Sequence, residues 1–423
     1  MSDSPPSKLD RSYATALDAA DPLAAFRDRF VQPDPDLLYL DGNSLGRLPV
    51  ATAARLRHVI DQEWGAGLVR SWSSWVDLPR RVGDLIGTGL LGARPGEVLV
   101  TDSTSVNLYK LATAALDARA GRRVVLTSAD EFPTDGYVLQ GLCAARGLTL
   151  RSVPPDLDAG PSVDAVRACL DDGVALVLLS HVGYRSGALA DLAGVTAAAH
   201  EVGALVLWDL SHSAGAVPVG LGAAGADLAV GCTYKYLNGG PGAPAYVYVR
   251  DELHGELRQP IWGWFGQRDQ FAMDGRYDPA PGIEQFGVGT PPVLGMSAVE
   301  EGVAMLVEAG IDALRAKGTA LTEYLIVLAD HWLTPLGFRL ASPRDPSLRG
   351  AHVSLEHPRA WQVCQALLDR GVVPDYRAPD RLRFGPAPLT TRYADVYDAL
   401  ARTRQIVAAG DHVSYPPAPA RVT

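Results

Sequence analysis

The strongest constraint on the fold is a series of short apolar runs that alternate with helix-like segments. The runs are rich in valine and leucine: "RRVVLTS" at 122–128, "VALVLLS" at 174–180, "ALVLWD" at 204–209 and "DLAVGCT" at 227–233. The segments between them, such as "TDGYVLQGLCAARG" and "ADLAGVTAAAHEVG", have helical periodicity and end in glycine, where helices commonly stop. Because strands without polar alternation are buried on both faces, the pattern predicts an α/β fold with a mostly parallel, seven-stranded-type sheet covered by helices.

The pattern changes after about residue 295. A long helix-like segment at 296–332 is followed by the strand-like pieces "FRLAS", "AHVSLEH" and "RLRFGPAP", with another helix between them. This order predicts a second, smaller α+β domain. We therefore divide the chain into a partly disordered N-terminal segment (1–37), a large α/β domain (38–295), a small domain (296–410) and a flexible, proline-rich tail (411–423).

Composition excludes several classes of partner. The 423 residues carry a formal net charge of −10, which argues against nucleic acid, because nucleic-acid binders usually present a basic surface. The four cysteines form no C-x-x-C pair, so we expect neither a metal site nor a disulfide framework. No apolar run approaches the roughly 18 residues that span a bilayer. We expect a cytoplasmic protein that acts on a small molecule, without a membrane partner.

Polar residues follow three of the apolar runs. Ser180 ends the run at 174–180, Asp209 ends the run at 204–209, and Lys235 stands just after "LAVGCTY". Ligands of open α/β sheets bind beyond the carboxyl ends of the strands, so these side chains are expected to converge on one crevice. Any one of them alone is better explained as a strand-end cap or a salt bridge, but three together favour a site.

The lysine and the aspartate together suggest pyridoxal phosphate (PLP) chemistry. PLP needs a lysine to hold its aldehyde as a Schiff base and a carboxylate to keep its pyridine nitrogen protonated, which Lys235 and Asp209 would supply. His212 follows in "WDLSH" and would orient the pair or serve a purely structural role. Thr104 and Ser105 stand at the start of a predicted helix, where free N–H groups favour a phosphate, although Ser and Thr are also ordinary helix caps.

An aromatic residue stands in the loop that follows the apolar run at 122–128. In "DEFPTDGY", Phe132 could stack on the pyridine ring, and a core phenylalanine is the alternative.

Eight short motifs follow one another between about residues 38 and 405. They are "YLDGNSLGRLP", "STSVNL", "EFPTDGY", "WDLSHSAGAVPVGL", "TYKYLNGGPG", "GWFGQ", "GVGTPP" and "DYRAPDRLRFGPAPL". The aspartate-to-lysine segment alone indicates only a wide superfamily, whereas "GNSLG", "YKYLNGGPG" and "GWFG" together are more specific. In this combination the chain resembles the kynureninase family of fold-type I, aspartate aminotransferase-like PLP enzymes.

The resemblance implies roles for individual residues. Lys235 would hold PLP, Asp209 would pair with the pyridine nitrogen, and Phe132 would stack on the ring. The implied cofactor-binding set comprises Thr104, Ser105, Phe132, Pro133, Thr134, Asp135, Ser180, Asp209, His212, Tyr234 and Lys235, with Trp264 and Thr290 from the neighbouring subunit. The active sites would therefore be shared within a homodimer.

The resemblance also implies a reaction, the hydrolysis of L-kynurenine to anthranilate and L-alanine in tryptophan catabolism. Lys235 would take the α-proton, and Tyr234 is a candidate general acid. Arg383 would bind the substrate α-carboxylate through its paired donors, whereas Arg381 is expected at the surface. The implied substrate-binding set also contains Asn43, Ser44 and Trp72. Trp72, Gly289 and Thr290 resemble the bacterial type that prefers kynurenine to 3-hydroxykynurenine.

Two other functions stay open at this point. A cysteine desulfurase of the same fold would need a reactive cysteine on a flexible loop, but Cys143 and Cys364 fall in predicted helices and Cys232 in a strand. A catalytically silent PLP-fold binding protein would be expected to have lost Lys235, Asp209 or Arg383, and all three are present.

Overall fold

A computed structural model describes residues 7–273 and 275–417. The first six and last six residues lie outside the described residues, so that 7–37 of the N-terminal segment and 411–417 of the predicted flexible tail are described. The strands are β1 Leu38–Tyr39, β2 Val98–Val100, β3 Val124–Ser128, β4 Thr149–Val153, β5 Val174–Ser180, β6 Leu205–Asp209, β7 Leu228–Gly231, β8 Tyr246–Val249, β9 Arg339–Leu340, β10 Val353–Glu356, β11 Val372–Val373, β12 Asp375–Arg377 and β13 Arg381–Phe384. The α-helices are α1 Arg11–Ala19, α2 Val50–His58, α3 Trp72–Trp75, α4 Leu78–Ile86, α5 Thr104–Ala118, α6 Pro133–Arg146, α7 Val163–Arg167, α8 Leu192–Glu201, α9 Val293–Ala309, α10 Ile311–Trp332, α11 Ala360–Leu368 and α12 Tyr393–Ala409.

The large sheet has seven strands in the order β2-β8-β7-β6-β5-β3-β4. Neighbouring strands from β7 to β4 are parallel, and β8 runs antiparallel to both β7 and β2. The predicted mostly parallel sheet is therefore confirmed. After β3 the chain goes to β4 on one side and then to β5 on the other side, so a crevice opens between the carboxyl ends of β3 and β5, where such sheets bind ligands.

Both faces of this sheet are buried, as the apolar runs predict. Along β6, Leu205 and Leu207 pack in one apolar core and Val206 and Trp208 pack in the other. Successive side chains of a strand point to opposite faces, so an uninterrupted apolar run serves two helix layers at once. Each of these four side chains is at most 3% exposed, and burial of one large apolar side chain contributes about 1.5–3 kcal/mol.

The expectation of one long helix at 296–332 is wrong in one respect. The segment forms two helices, α9 and α10, which meet at Gly310. Gly310 has φ +81°, a backbone conformation that residues with a Cβ atom rarely adopt. The glycine therefore ends α9 and lets α10 start in a new direction.

The small domain is built on an antiparallel sheet in the order β12-β13-β10-β9. The small domain also includes residues from the start of the chain: Ala14 of the N-terminal segment lies in its apolar core, and so do Leu38 and Leu40, which the predicted boundary assigns to the large domain. Strand β1 pairs with β11. The Arg11 guanidinium also pairs with Asp398 at 2.8 Å. The loop after β1, which carries "GNSLG", is thereby held beside the small-domain sheet.

None of the helices in the described ranges combines the length and the apolar character that crossing a membrane requires. The same residues contain no group of three or more His, Cys, Asp or Glu arranged to hold a metal ion.

Candidate active site

The polar residues at the strand ends do converge. Ser180 and Asp209 are direct partners across the β5–β6 pair, and the Asp209 carbonyl accepts a hydrogen bond from the His181 N–H at 2.9 Å. Asp209 pairs on its other side with Val230 of β7, and Lys235 follows five residues later. Because β5, β6 and β7 are parallel, these residues meet at one edge of the sheet, as the sequence predicts.

Lys235 differs from the other lysines of the chain. There are four lysines, all among the described residues. Lys110 is fully buried against Asp102 at 2.7 Å, Lys317 is buried against Asp21 at 2.6 Å, and Lys8 is exposed. Lys235 is 8% exposed, and no carboxylate of the described residues lies within ion-pair distance of it. A buried amine without a paired anion is costly unless it is committed to chemistry.

The nearest polar group to the Lys235 amine is the imidazole of His212. Lys235 Nζ lies 3.3 Å from His212 Nε2, and burial together with the Lys235 charge lowers the pKa of His212 well below its ordinary value. A lysine ammonium can only donate, so Nε2 accepts and the imidazole proton resides on Nδ1. The amine also stands 5.8 Å from the ring centroids of both Phe132 and Tyr234.

Three carboxyl groups, those of Asp209, Asp135 and Glu131, lie close enough together to interact electrostatically. Asp209 is 5% exposed and accepts from the Ser211 N–H at 2.7 Å; Asp135, at the first turn of α6, is 1% exposed. Burial, and then the charges of Asp209 and Glu131, raise the pKa of Asp135 well above its usual range. The raised pKa favours the protonated form of Asp135, which can donate to Asp209, while its Oδ2 atom has no hydrogen-bond partner among the described residues.

Glu131 is a site residue that sequence reasoning missed. Its carboxylate accepts from the Ser180 N–H at 2.8 Å, from the Ser180 hydroxyl and from the Phe132 N–H at 3.0 Å. It thus joins the ends of β3 and β5 across the crevice. The signal was present, because Glu131 opens "EFPTDGY" just after a strand, in the same position as the polar residues that were noticed.

The charge on Glu131 leads to a testable pH dependence. Burial raises the pKa of Glu131 from its ordinary 4.5 to about 7, so between these values the folded protein holds a proton that the unfolded chain has released. The stability contribution of Glu131 therefore falls as the pH rises through this window. Replacement Glu131→Gln should flatten the change in unfolding free energy of the cofactor-free protein between about pH 5 and pH 8 by roughly 2 kcal/mol.

Thermal or urea unfolding at several pH values measures this effect. Glu308→Gln is the matched control, because Glu308 is exposed and a hydrogen bond from Arg29 lowers its pKa, so that it titrates below the window. Identical pH profiles for Glu131→Gln and the unmodified protein would contradict the assignment.

The start of α5 lies where the sequence places it. Ser103 is the N-cap, and its hydroxyl accepts from the Val106 N–H at 3.4 Å. Thr104 and Ser105 are therefore the first two helical residues, and both are half-buried. The helix follows β2, whose carboxyl end is at the same edge of the sheet as that of β7, because both strands run antiparallel to β8. Free N–H groups at this end suit an anion.

The contacts of Trp264, Thr290 and Trp72 among the described residues do not involve Lys235. The Trp72 ring packs 6.1 Å from that of Trp264 in an aromatic cluster. Thr290 is exposed and lines a cavity of about 450 Å³ together with Ser103 and Gly242, and neither Lys235 nor Asp209 lines this cavity.

Arg383 is the centre of a second polar cluster. It is 1% exposed, and its guanidinium group pairs with Asp375, donates to the Tyr184 carbonyl and reaches the Ser44 hydroxyl at 3.1 Å. With its amide oxygen facing the guanidinium, Asn43 accepts from Nε at 2.8 Å and from Nη2 at 2.9 Å. The structure thus unites Asn43, Ser44 and Arg383, which come from opposite ends of the sequence.

The expectation for Arg381 is wrong. Arg381 is 3% exposed, donates to the Ala341 carbonyl at 2.9 Å and pairs with Asp158 at 2.8 Å. It shares a face of β13 with Arg383, since residues two apart on a strand point the same way. Both arginines are therefore buried, and neither is a surface residue.

His352, from the loop before β10, links the two clusters and was also missed. Its ring is fully buried with its centroid 5.6 Å from that of His212. Burial, and then the charge of Arg383, lower the pKa of His352 well below its ordinary value. No sequence signal marks this histidine, because only the packing of the two domains brings it to the site.

The residues around Lys235 fit PLP. The amine is free of a carboxylate, Asp209 lies beside the Asp135 carboxyl group, whose raised pKa favours its protonated form, and the Oδ2 atom of Asp135 is buried without a hydrogen-bond partner among the described residues. An aromatic ring stands within 6 Å of the amine. A Schiff-base amine, an anion for a pyridinium and a stacking ring are the groups that this cofactor requires.

Comparison with known proteins first gives the class. Residues 88–332 match the family model "Aminotransferase class-V". Among solved structures, the apo cysteine desulfurase from Thermococcus onnurineus NA1 has a TM-score of 0.77 at 19% identity, over 88% of this chain and 95% of that chain. A C-DES mutant with glycine covalently linked to the PLP cofactor has a TM-score of 0.78 at 17% identity, over 88% of this chain and 99% of that chain. Fold and site together define a fold-type I PLP enzyme.

The family is defined by closer relatives. Residues 314–402 match the model "Kynureninase C-terminal domain". The chain is 47% identical to the kynureninase of Pseudomonas fluorescens, over 92% of this chain and 94% of that protein. It is also 47% identical to the kynureninase of Burkholderia pseudomallei (strain 1106a), over 94% of this chain and 95% of that protein. The chain belongs to the kynureninase family.

The similarity to cysteine desulfurases supports a shared fold and no more. Burial raises the pKa of the Cys143 and Cys232 thiols and raises that of Cys364 to about 12. Desulfurization needs an accessible thiolate, and these three thiols are buried and protonated.

Proposed function

We propose that this protein hydrolyses L-kynurenine to anthranilate and L-alanine, using PLP, in tryptophan catabolism. Water is divided across the Cβ–Cγ bond: hydroxide goes to the ketone carbon and a proton goes to Cβ. The observation that carries the proposal is the 47% identity to named kynureninases over more than nine-tenths of both chains. The polar cluster around Lys235 would bind the cofactor, and the cluster around Arg383 would bind the substrate.

Lys235 and Asp209 would hold the cofactor at its two ends. When bound, PLP supplies an electron-withdrawing ring that stabilises negative charge at the substrate α-carbon. Phe132 would cover one face of the ring. The first turn of α5, with Thr104 and Ser105, would bind the phosphate. The remaining members of the proposed cofactor set are Pro133, Thr134, Asp135, Ser180, His212 and Tyr234.

The protein's own residues account for the proton movements. Lys235, once released from its covalent role, is placed to move the α-proton, and the neutral His212 beside it leaves the amine free to act as a base. Burial, and then the neighbouring Cys232, raise the pKa of Tyr234, so its phenol keeps the proton that Cβ must receive. Tyr234 is therefore the candidate acid.

The substrate carboxylate would bind at Arg383, with Asn43 and Ser44 beside it. These three residues are clustered together, and the nearby His352 contributes no charge while its pKa is lowered. The guanidinium group of Arg383, which already pairs with the Asp375 carboxylate, can bind an α-carboxylate through parallel charge-assisted hydrogen bonds.

A homodimer would complete the site. The contacts of Trp264 and Thr290 among the described residues do not involve Lys235, which fits a role towards the active site of a second subunit. Trp72 packs against Trp264, so it would reach the substrate from the same side. The bacterial-type residues Trp72, Gly289 and Thr290 favour kynurenine over 3-hydroxykynurenine, which would be hydrolysed at lower efficiency. We place the protein in the cytoplasm.

The direct test is incubation of the PLP-loaded protein with L-kynurenine while anthranilate fluorescence is followed. Formation of anthranilate with an equimolar amount of L-alanine supports the proposal. No anthranilate at any substrate concentration, from protein with full cofactor content, would remove it.

Arg383→Lys tests the substrate site. Lysine keeps the positive charge but loses the donors to Asn43 and Tyr184, so KM for kynurenine should rise about tenfold or more, while cofactor content stays unchanged. Steady-state kinetics and absorbance on the same preparation measure both. Arg381→Lys is the control, since it makes the same change on the same face of β13, away from Asn43. An unaltered KM for Arg383→Lys would move the carboxylate site elsewhere.

A further inference from the structure

The hairpin of β12 and β13 places one aspartate and three arginines on one face of the small sheet. In its register Asp375 lies directly opposite Arg383, and Arg377 lies opposite Arg381. Directly opposed side chains of an antiparallel pair are close enough to bond. Asp375, only 5% exposed, is therefore built to pair with Arg383.

The donors of Arg383 are already engaged. Nε and Nη2 face the Asn43 oxygen at 2.8 and 2.9 Å, Nη2 also bonds to Asp375 Oδ2, and Nη1 donates to the Tyr184 carbonyl. A guanidinium group has five N–H bonds, and two of them must lie parallel to grip a carboxylate. An arriving carboxylate can gain two parallel bonds from Arg383 only if one of these acceptors leaves.

Asp375 is the acceptor that has a second cationic partner. Arg377 Nη2 lies 2.9 Å from the same Oδ2 atom that Arg383 contacts. The Arg377 side chain is 30% exposed, and its Nε atom is buried without a hydrogen-bond partner among the described residues. Within the described part of the chain, Asn43 and the Tyr184 carbonyl have no second cation of this kind.

Two guanidinium groups and two carboxyl groups make up the charges around Arg383. Two guanidinium groups share the single carboxylate of Asp375. The other nearby acid is Asp41, whose Oδ1 atom is buried without a partner in the described part of the chain. Burial, and then the charge of Asp375, raise the pKa of Asp41 to about 6, so Asp41 loses its negative charge only as the pH falls through about 6. His352 and Ser44, which also face the cluster, carry no negative charge.

We propose that Asp375 is an exchangeable partner of Arg383: the α-carboxylate of an amino-acid substrate displaces Asp375 from Arg383, and Arg377 then keeps the displaced Asp375 paired. Arg377 is thus a positioning residue that acts through Asp375. This inference rests on the proposed function, because it assumes an α-amino acid substrate. Without Arg377, substrate binding would leave Asp375 as a buried, unpaired charge, which is costly.

The test is a double-mutant cycle on the PLP-loaded enzyme. Arg377→Gln should raise KM for L-kynurenine at least about tenfold with kcat changed less than about threefold. Asp375→Asn should not raise KM, since a neutral amide competes less with the substrate carboxylate. The double variant should return KM to within about threefold of the unmodified enzyme, because the neutral amide that replaces the Asp375 carboxylate needs no cationic partner.

Two outcomes would overturn the exchange. An unchanged KM in Arg377→Gln would show that Arg377 has no part in binding. A double variant as impaired as Arg377→Gln alone would show that Arg377 acts directly on the substrate or on the fold, and not through Asp375. Arg381→Lys, on the same face and bonded to Asp158, is the control and should leave KM unaltered.

Calorimetric binding separates this inference from the proposed function. The product L-alanine carries the carboxylate and L-alaninamide lacks it, so Arg377→Gln should weaken binding of L-alanine at least about tenfold and leave L-alaninamide unaffected. This measurement does not depend on turnover. If the unmodified protein forms no anthranilate but shows this binding pattern, the proposed reaction fails and the exchange stands; equal weakening of both ligands overturns the exchange alone.

Discussion

Replacing Lys235 with alanine is expected to abolish kynurenine hydrolysis and the visible absorbance of the lysine-bound cofactor. Lys235 is both the proposed attachment point and the proposed base, so its loss should lower kcat by about 10³-fold or more. Borohydride should trap no label on the variant. The fold should persist, because the amine contacts His212 but pairs with no carboxylate of the described residues whose charge would be left buried.

Lys317→Met is the matched control for this prediction. Lys317 is also buried, but it pairs with Asp21 at 2.6 Å. Breaking that pair should lower the unfolding free energy by about 3–5 kcal/mol and leave the cofactor absorbance intact. Lys235→Ala should therefore lose the cofactor absorbance and keep its stability, whereas Lys317→Met should lose stability and keep the cofactor absorbance. A borohydride label that survives in Lys235→Ala would identify another attachment point, with Lys110 the next lysine to test.

The large domain could be predicted closely because its signals are local. The runs that become β5 and β6 are uniformly apolar, and each ends in the polar residue that the site uses, Ser180 and Asp209. A strand buried on both faces has no other place for a polar side chain than its end. Hydrophobic periodicity and the polar residues at strand ends were therefore enough to predict the fold of the large domain and half of the site.

The rest of the site depends on contacts that local patterns do not encode. Arg383 meets Asn43 from the opposite end of the sequence, and His352 reaches His212 only after the domains pack. Asp375 was within reach of sequence reasoning, because the proline and aspartate of "DYRAPDRLR" mark a turn that would oppose it to Arg383. Burial of Arg381 was missed because a charged residue next to a functional one was assumed to be exposed.

Replacing Asp209 with asparagine should remove most of the electron-withdrawing power of the bound ring while the fold is kept. Asparagine still accepts from the Ser211 N–H and from the protonated Asp135, so the local hydrogen bonds survive. What is lost is the negative charge that keeps the pyridine nitrogen protonated. We expect a loss on the order of 3 kcal/mol in the barrier, about 100-fold in kcat, together with weaker cofactor binding.

Exchange of the α-proton of L-alanine with deuterated solvent, followed by NMR, measures this step apart from bond cleavage. The matched variant is Asp135→Asn, which replaces a neutral donor by another neutral donor and should slow the exchange less than about tenfold, since the Asp209 charge remains. Both substitutions replace a carboxyl group by an amide of the same shape, at two residues in contact with each other. The difference between their exchange rates therefore reports the effect of the Asp209 charge. Exchange that proceeds at the unmodified rate in Asp209→Asn would mean that another acid, Asp135 or Glu131, pairs with the pyridine nitrogen.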